Sequence, residues 1–153
     1  MLFLVRHAKA GDRLHNAKQD FVRPLTRNGW RQAEALIDPL VSAGAAAPLL
    51  ASPFLRCLQT LEPLANKLAT TVSADERLRE AQPFRPVVEL MSELPDGAVL
   101  CSHGDVIPDV MGALQRRGCA IVGEPQWRKA SVWVVERNDA GDFVTASAWP
   151  PPD

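Results

Sequence analysis

Leu2-Phe3-Leu4-Val5-Arg6-His7 runs from four consecutive apolar residues into a cation and an imidazole. Four apolar residues in a row predict a short buried strand. Arg6 and His7 then fall where that strand emerges. In open α/β sheets, ligands bind outside the carboxyl ends of the strands. An arginine and a histidine therefore stand side by side where a reactive anion could sit. Histidine in such a place can be a nucleophile, a base or a metal ligand.

Outward from this strand, residues 7–24 are polar and irregular, a long loop for one domain and a candidate functional segment. Thr26 can cap a helix over 27–42, with Trp30, Ala33, Ile37 and Leu40 on one face and Gly44 ending it. Residues 48–51 read as a second strand. Ser52 then serves as N-cap and Pro53 as the first helical residue of a helix carrying Leu55, Leu58 and Leu61, which Pro63 should kink or split before a second piece ending near Leu68. Residues 70–72 predict a third strand, 86–93 a helix, 98–101 a fourth strand and 106–116 another helix. Residues 131–135 and 143–145 predict a terminal hairpin. Strands alternating with helices predict a three-layer α/β/α fold with a mostly parallel sheet. One domain over 1–149 is expected, with 150–153 as a frayed tail.

Composition agrees with one globular domain: 153 residues, 46% apolar and 23% charged. The net charge of −1 disfavours a nucleic-acid polymer or a membrane surface as partner. Charge is nonetheless uneven. Residues 1–31 hold seven Lys/Arg against Asp12 and Asp20, whereas the remainder holds ten against sixteen carboxylates. A basic patch on a mildly acidic chain suits a small anion such as a phosphoryl group. Cys57, Cys101 and Cys119 form no C-x-x-C pair and are expected as reduced thiols. The apolar stretch before Arg6 is too short for a signal peptide core, and no segment approaches membrane-spanning length, so the expected location is the cytoplasm.

Three strand ends carry related chemistry: Arg6-His7, Ser52-Pro53-Phe54-Leu55-Arg56 and Ser102-His103-Gly104. Parallel neighbouring strands would gather two histidines and two arginines at one sheet edge. A guanidinium fork matches phosphate oxygens, helix N-termini add amide donors, and a neutral imidazole can attack phosphorus. No H-E-x-x-H or C-x-x-C supports a metal site, and adjacent cations would repel a metal. No G-x-S-x-G elbow supports a serine hydrolase.

These residues resemble the histidine phosphatase superfamily, also called phosphoglycerate mutase-like. Leu4-Val5-Arg6-His7-Ala8 is similar to its R-H-G motif. Ser52-Pro53-Phe54-Leu55-Arg56-Cys57-Leu58-Gln59-Thr60 matches its S-P-x-x-R-x-x-Q-T, and Ser102-His103-Gly104 matches its S-H-G. Arg23-Pro24-Leu25-Thr26-Arg27-Asn28-Gly29 looks like the R-P-L-T-x-x-G of short SixA-type phosphohistidine phosphatases. Residues 102–108 and 128–133 are also similar to phosphatase-like domains fused behind Nudix hydrolases, which act in nucleotide-phosphate chemistry.

The resemblance implies a phosphoglycerate mutase-like fold with no cap domain, because little room separates the Ser52–Thr60 segment from residue 98. It implies His7 as the phosphorylated nucleophile, with Arg6, Arg56 and His103 holding the phosphoryl group. Arg23 would add a fourth donor, and Glu80 would donate the proton to the leaving atom. No cofactor and no metal are implied. An uncovered site would admit a phosphorylated protein or a small phosphorylated substrate. The first expectation is a SixA-like phosphatase; a nucleotide-phosphate hydrolase or a non-catalytic phosphate-binding module is the alternative. Ala8 replaces the motif glycine, which implies that position 8 needs no positive φ. Arg13 stands where many mutases carry Asn, which disfavours a phosphoglycerate mutase.

Overall fold

The computed structural model describes residues 1–152; the final residue of the expected tail lies outside them. Seven strands are present: β1 Leu2–Arg6, β2 Leu49–Ala51, β3 Val72–Ala74, β4 Val99–Ser102, β5 Ala120–Val122, β6 Val132–Arg137 and β7 Phe143–Trp149. They form one sheet in the order β3-β2-β4-β1-β6-β7-β5. The first four in that order run parallel, while β6 is antiparallel to β1 and β7. The helices are α1 Ala17–Phe21, α2 Arg27–Ala35, α3 Ile37–Ser42, α4 Leu55–Lys67, α5 Phe84–Glu93 and α6 Val106–Arg116.

The apolar run of β1 is continuous because both of its faces are covered. Leu2 and Leu4 pack with Val87 and Met91 of α5, Val110 and Leu114 of α6, and Trp133. Phe3 and Val5 pack on the other face with Leu36, Leu40, and Cys57, Leu61 and Leu64 of α4. The three-layer α/β/α architecture expected from the alternation of elements is therefore present. No helix of the described residues is long and apolar enough to cross a membrane.

Several local expectations are corrected by the structure. The helix expected over 27–42 is two helices hinged at Leu36. Pro39 has no N–H to continue α2; restarting the chain at Ile37 places it in the first turn of α3, where an N–H has no intrahelical partner anyway. Pro63, expected to kink or split its helix, does not split it and lies inside a continuous α4. Its cost of roughly 3 kcal/mol is offset by burial of Leu61, Leu64 and Ala65, the two leucines contributing about 2 kcal/mol each. Ser52 does not cap α4, which begins at Leu55 after Phe54. Instead its N–H donates to the Cys101 carbonyl (3.0 Å), extending the β2–β4 pairing.

The third strand lies at Val72–Ala74, two residues beyond its expected start. One α-helix and one strand had no expectation. The helix α1 interrupts the 7–24 loop and is capped by Asn16, whose side chain accepts from the N–H groups of Lys18 and Gln19. The edge strand β5 is short and largely exposed.

Gly29 fixes how α2 meets the loop after β1. A Cβ there would overlap the Lys9 carbonyl oxygen. That carbonyl accepts from Thr26 N (2.9 Å) and Thr26 Oγ1 (3.2 Å). Alanine would favour the helix by up to about 1 kcal/mol, yet backbone overlap of this kind costs about 1–3 kcal/mol or more. Gly29→Ala is therefore expected to lower stability by about 2 kcal/mol in urea unfolding; a variant as stable as the wild type would contradict the close packing of Lys9 on α2.

Candidate active site

The β1–β4 register sets Arg6 opposite Ser102, and the β2–β4 register sets Ala51 opposite Cys101. All three motif-bearing strand ends thus finish at one edge. His7 N–H donates to the Ser102 carbonyl (3.0 Å), which carries the ladder one residue past β1. The remaining motif residues hold the loops around it. Thr60 Oγ1 accepts from Ala8 N (2.9 Å), and Gln59 Oε1 accepts from Leu25 N (2.9 Å). Ala8 is not among the residues with positive φ, as its side chain requires.

A cavity of about 220 Å³ lies at this edge, lined by Arg6, His7, Arg13, Glu80, His103, Gly104 and Asp105. Larger hollows exist elsewhere. One of about 460 Å³ near Val88, Leu114 and Phe143 is lined by none of the motif residues, so size alone does not mark the chemistry.

His7 is buried, and its Nδ1 bonds the Ala8 carbonyl oxygen (2.9 Å). A carbonyl can only accept, so Nδ1 carries the proton and Nε2 keeps the lone pair. Burial, aided by His103, Arg56 and Arg6 and opposed by the Ala8 bond, lowers the His7 pKa to about 2. The ring is neutral at physiological pH. The His103 ring lies edge-on to it, 5.4 Å between centroids. His103 Nε2 is 2.8 Å from Ser52 Oγ and 3.5 Å from Cys57 Sγ, so the segment running from the end of β2 into α4 positions it. Its buried Nδ1 has no hydrogen-bond partner among the described residues and faces Glu80 Oε2 at 3.8 Å.

Arg6 is held by Nη1 donating to the Trp127 carbonyl (2.6 Å), and its buried Nε has no partner among the described residues. Gly104 is small because a Cβ there would come within 2.6 Å of the Arg6 Cζ. Arg56 is fully buried over the Phe54 ring (4.8 Å) and forms no part of the cavity wall. It reaches the site through ion pairs, Nη1 to Asp20 Oδ2 (3.5 Å) and Nη2 to Glu80 Oε2 (3.4 Å). Arg56 Nε and Nη2 make no hydrogen bond among the described residues. The unpartnered N–H groups of Arg6 and Arg56, with His103 Nδ1 beside them, are polar groups of the kind that can engage a tetrahedral oxyanion.

Arg23 stands one contact further out. Its Nε donates to Asp20 Oδ1 (3.0 Å) and its Nη1 to the Gly11 carbonyl. Glu80 does lie on the cavity, where Arg13 grips it through Nη1 (3.3 Å) and Nη2 (3.2 Å). Burial pushes the Glu80 carboxyl up, but Arg13, His103 and Arg56 outweigh it and hold it below the ordinary carboxylate range. Ala81, at φ 64°, donates its N–H to Asp105 Oδ2 (2.7 Å) and fixes the segment that carries Glu80. No group of three or more His, Cys, Asp or Glu among the described residues is placed to hold a metal ion.

The residue missed from sequence is Asp20. It is 5% exposed and touches Arg13, Arg23 and Arg56. Its one visible signal is the i,i+3 spacing to Arg23. Burial raises its pKa, but Arg56, Arg23 and the Leu14 N–H prevail and lower it. Its ionised form is thus favoured by folding. That stabilisation is present above the unfolded value of about 3.9 and is lost as pH falls through the lower folded value. Asp20→Asn removes one of the two carboxylates paired with buried Arg56, together with the partner of Arg23, and should cost about 3 kcal/mol at pH 7. Chemical denaturation at pH 7 and pH 3 checks this: the wild-type advantage should shrink at pH 3, and an undiminished gap would contradict the ion-pair account.

Comparison with known proteins accords with this geometry. The model of the histidine phosphatase superfamily (branch 1) matches residues 2–83. The 8-oxo-(d)GTP phosphatase of Mycolicibacterium smegmatis is 34% identical over 158 residues, covering 99% of this chain and 48% of its own length. The chain thus spans about half the length of this curated relative. The protein histidine phosphatase SixA complexed with tungstate superposes with a TM-score of 0.73 at 24% identity, covering 94% of this chain and 92% of its own. A mycobacterial glucosyl-3-phosphoglycerate phosphatase does so with a TM-score of 0.68 at 18% identity, covering 99% of each. These two likenesses establish the fold.

Proposed function

The chain belongs to the histidine phosphatase superfamily, and from that membership we propose that it is a phosphatase working through a phosphohistidine intermediate on His7. The substrate is a phosphohistidine side chain or a related phosphomonoester. One observation carries this reading above others: the His7 Nδ1 bond to the Ala8 carbonyl, which leaves Nε2 as a neutral nucleophile.

In this account His7 Nε2 attacks phosphorus, and the bond from phosphorus to the leaving oxygen or nitrogen breaks. Arg6, Arg56 and His103 stabilise the charge on the equatorial oxygens, which is the main catalytic demand of phosphoryl transfer. Arg23 assists with the Nη2 that Asp20 and Gly11 do not engage. Glu80 gives a proton to the leaving atom. A carboxyl held low by Arg13 and Arg56 is ionised at rest. A bound phosphoryl dianion draws on Arg56 and adds negative charge beside Glu80, which favours the protonated acid in the complex. Water then attacks the phosphohistidine, Glu80 takes its proton, and orthophosphate leaves. A phosphoramidate nitrogen leaves readily and asks least of this acid. The three cysteines are free and buried, in keeping with a cytoplasmic setting.

A second reading, hydrolysis of a nucleotide phosphate, is supported by the similarity to the 8-oxo-(d)GTP phosphatase. A module that binds phosphate without turnover is the third.

His7→Ala is expected to lower hydrolysis of an aryl phosphate and of phosphohistidine protein by at least about a thousandfold. Glu80→Gln should cost about 10²-fold on an alkyl phosphate and much less on a phosphoramidate. Steady-state kinetics on the three substrate types check both. Full activity of the His7 variant would overturn the mechanism, and equal losses across leaving groups would remove Glu80 from the acid role.

A further inference from the structure

Arg6 borders two hollows. Beside the 220 Å³ site lies a groove of about 430 Å³, walled by Arg6, Lys9, Gln32, Arg128 and Lys129 and completed by Pro151 and Pro152. Its wall holds four cations and no carboxylate. Lys9, Arg128 and Lys129 form no salt bridge among the described residues. Gathering like charge in one place costs stability through self-repulsion. Lys9 and Arg128 are exposed, while Arg6 and Lys129 are half-buried.

Here the backbone beneath them is fixed. Lys9 donates its N–H to Gln32 Oε1 (3.0 Å), while its carbonyl accepts from Thr26 and lies against Gly29. Lys129 precedes Ala130, whose φ of 66° is a left-handed conformation that alanine seldom adopts. The Ala130 N–H is shared by the carbonyls of Arg6 (3.1 Å) and His7 (3.2 Å). A strained residue therefore ties Lys129 to the two residues at the centre of the phosphoryl site. Lys129 is partly buried, and burial together with Arg6, Arg23, Lys9 and Arg56 holds its pKa below the ordinary lysine value.

We propose that this groove is a second anion subsite, which takes a further phosphate of the same small molecule whose terminal phosphoryl group lies against His7. The inference rests on the reading of His7 as phosphoryl acceptor. The substrate class it names, a small molecule with two or more linked phosphates, deepens the second, nucleotide-phosphate reading of the same site. In the transfer step the terminal P–O bond of the bridge breaks, phosphorus bonds His7 Nε2, and the bridging oxygen departs on the shortened substrate held by Lys9, Arg128 and Lys129. Water then releases the phosphoryl group as orthophosphate. A groove of this size that shares Arg6 with the site suits one or two further phosphates better than a run of acidic side chains.

Calorimetric titration with orthophosphate, pyrophosphate and tripolyphosphate tests the subsite without requiring turnover. The wild type should bind pyrophosphate at least about tenfold more tightly than orthophosphate, as one added set of charged hydrogen bonds implies. Lys9→Gln and Lys129→Gln should each shrink that preference to under about threefold, and Lys129→Arg should restore it. The same titrations on His7→Ala separate the two claims: preference retained there while no substrate is hydrolysed by the wild type would uphold the groove and remove the catalytic reading. Equal affinity for the two anions, or a preference that both glutamine variants keep, overturns the subsite. A polyglutamate peptide that binds more tightly than tripolyphosphate, and loses that affinity in both variants, would overturn the small-molecule assignment.

Discussion

Arg6 faces Ser102 across two parallel strands, and His7 continues that pairing by donating to the Ser102 carbonyl. The arrangement of the site follows from this register. A slip of one residue would turn Leu2 and Leu4 to the face now filled by Phe3 and Val5, and both cores would be lost. The hydrophobic pattern of β1 therefore fixes not only the sheet but also the height at which His7 leaves it. The Ser52 N–H, bonded to the Cys101 carbonyl, brings the third strand end to the same level.

Such an edge concentrates positive charge, and two carboxylates make that tolerable. Asp20 and Glu80 together contact Arg13, Arg23, Arg56 and His103. Arg56 could not remain fully buried without them. Burial, with His103, Arg56 and Arg6, keeps His7 unprotonated, and two of those groups, His103 and Arg56, join Arg13 in holding Glu80 below the ordinary carboxylate range. Arg13 is the exposed member of this set. It ties a loop to Glu80 across the mouth of the cavity, a role that the mutase asparagine at that position could not fill with charge.

The parts of the fold that were legible in the sequence are those where one local rule suffices. Both-face burial announces β1 and β4 as apolar runs, and α6 occupies the span expected of it. Local rules misled where packing overrides them. Pro63 breaks an isolated helix but not one that buries Leu61 and Leu64 on the sheet. Ser52 looks like a cap, yet its hydroxyl serves Phe54 N (3.3 Å) and His103 Nε2 instead. Of the residues lining the cavity, the motif positions named Arg6, His7, His103 and Gly104 and the resemblance named Glu80, whereas no motif assigns a role to Arg13 or Asp105. Asp20 stayed hidden because its importance arises only when α1 folds under Arg56, and nothing along the chain announces that contact.

The account turns on His7 Nε2 as the atom that receives the phosphoryl group. Alkaline quenching of the enzyme during turnover of an aryl phosphate, followed by peptide mapping by mass spectrometry and ³¹P NMR, tests it most directly. The expected adduct is base-stable and acid-labile, sits on the peptide that contains His7, and is joined through Nε2. A phosphoryl group on Nδ1 or on another residue, or turnover with no adduct captured at any time, would contradict it.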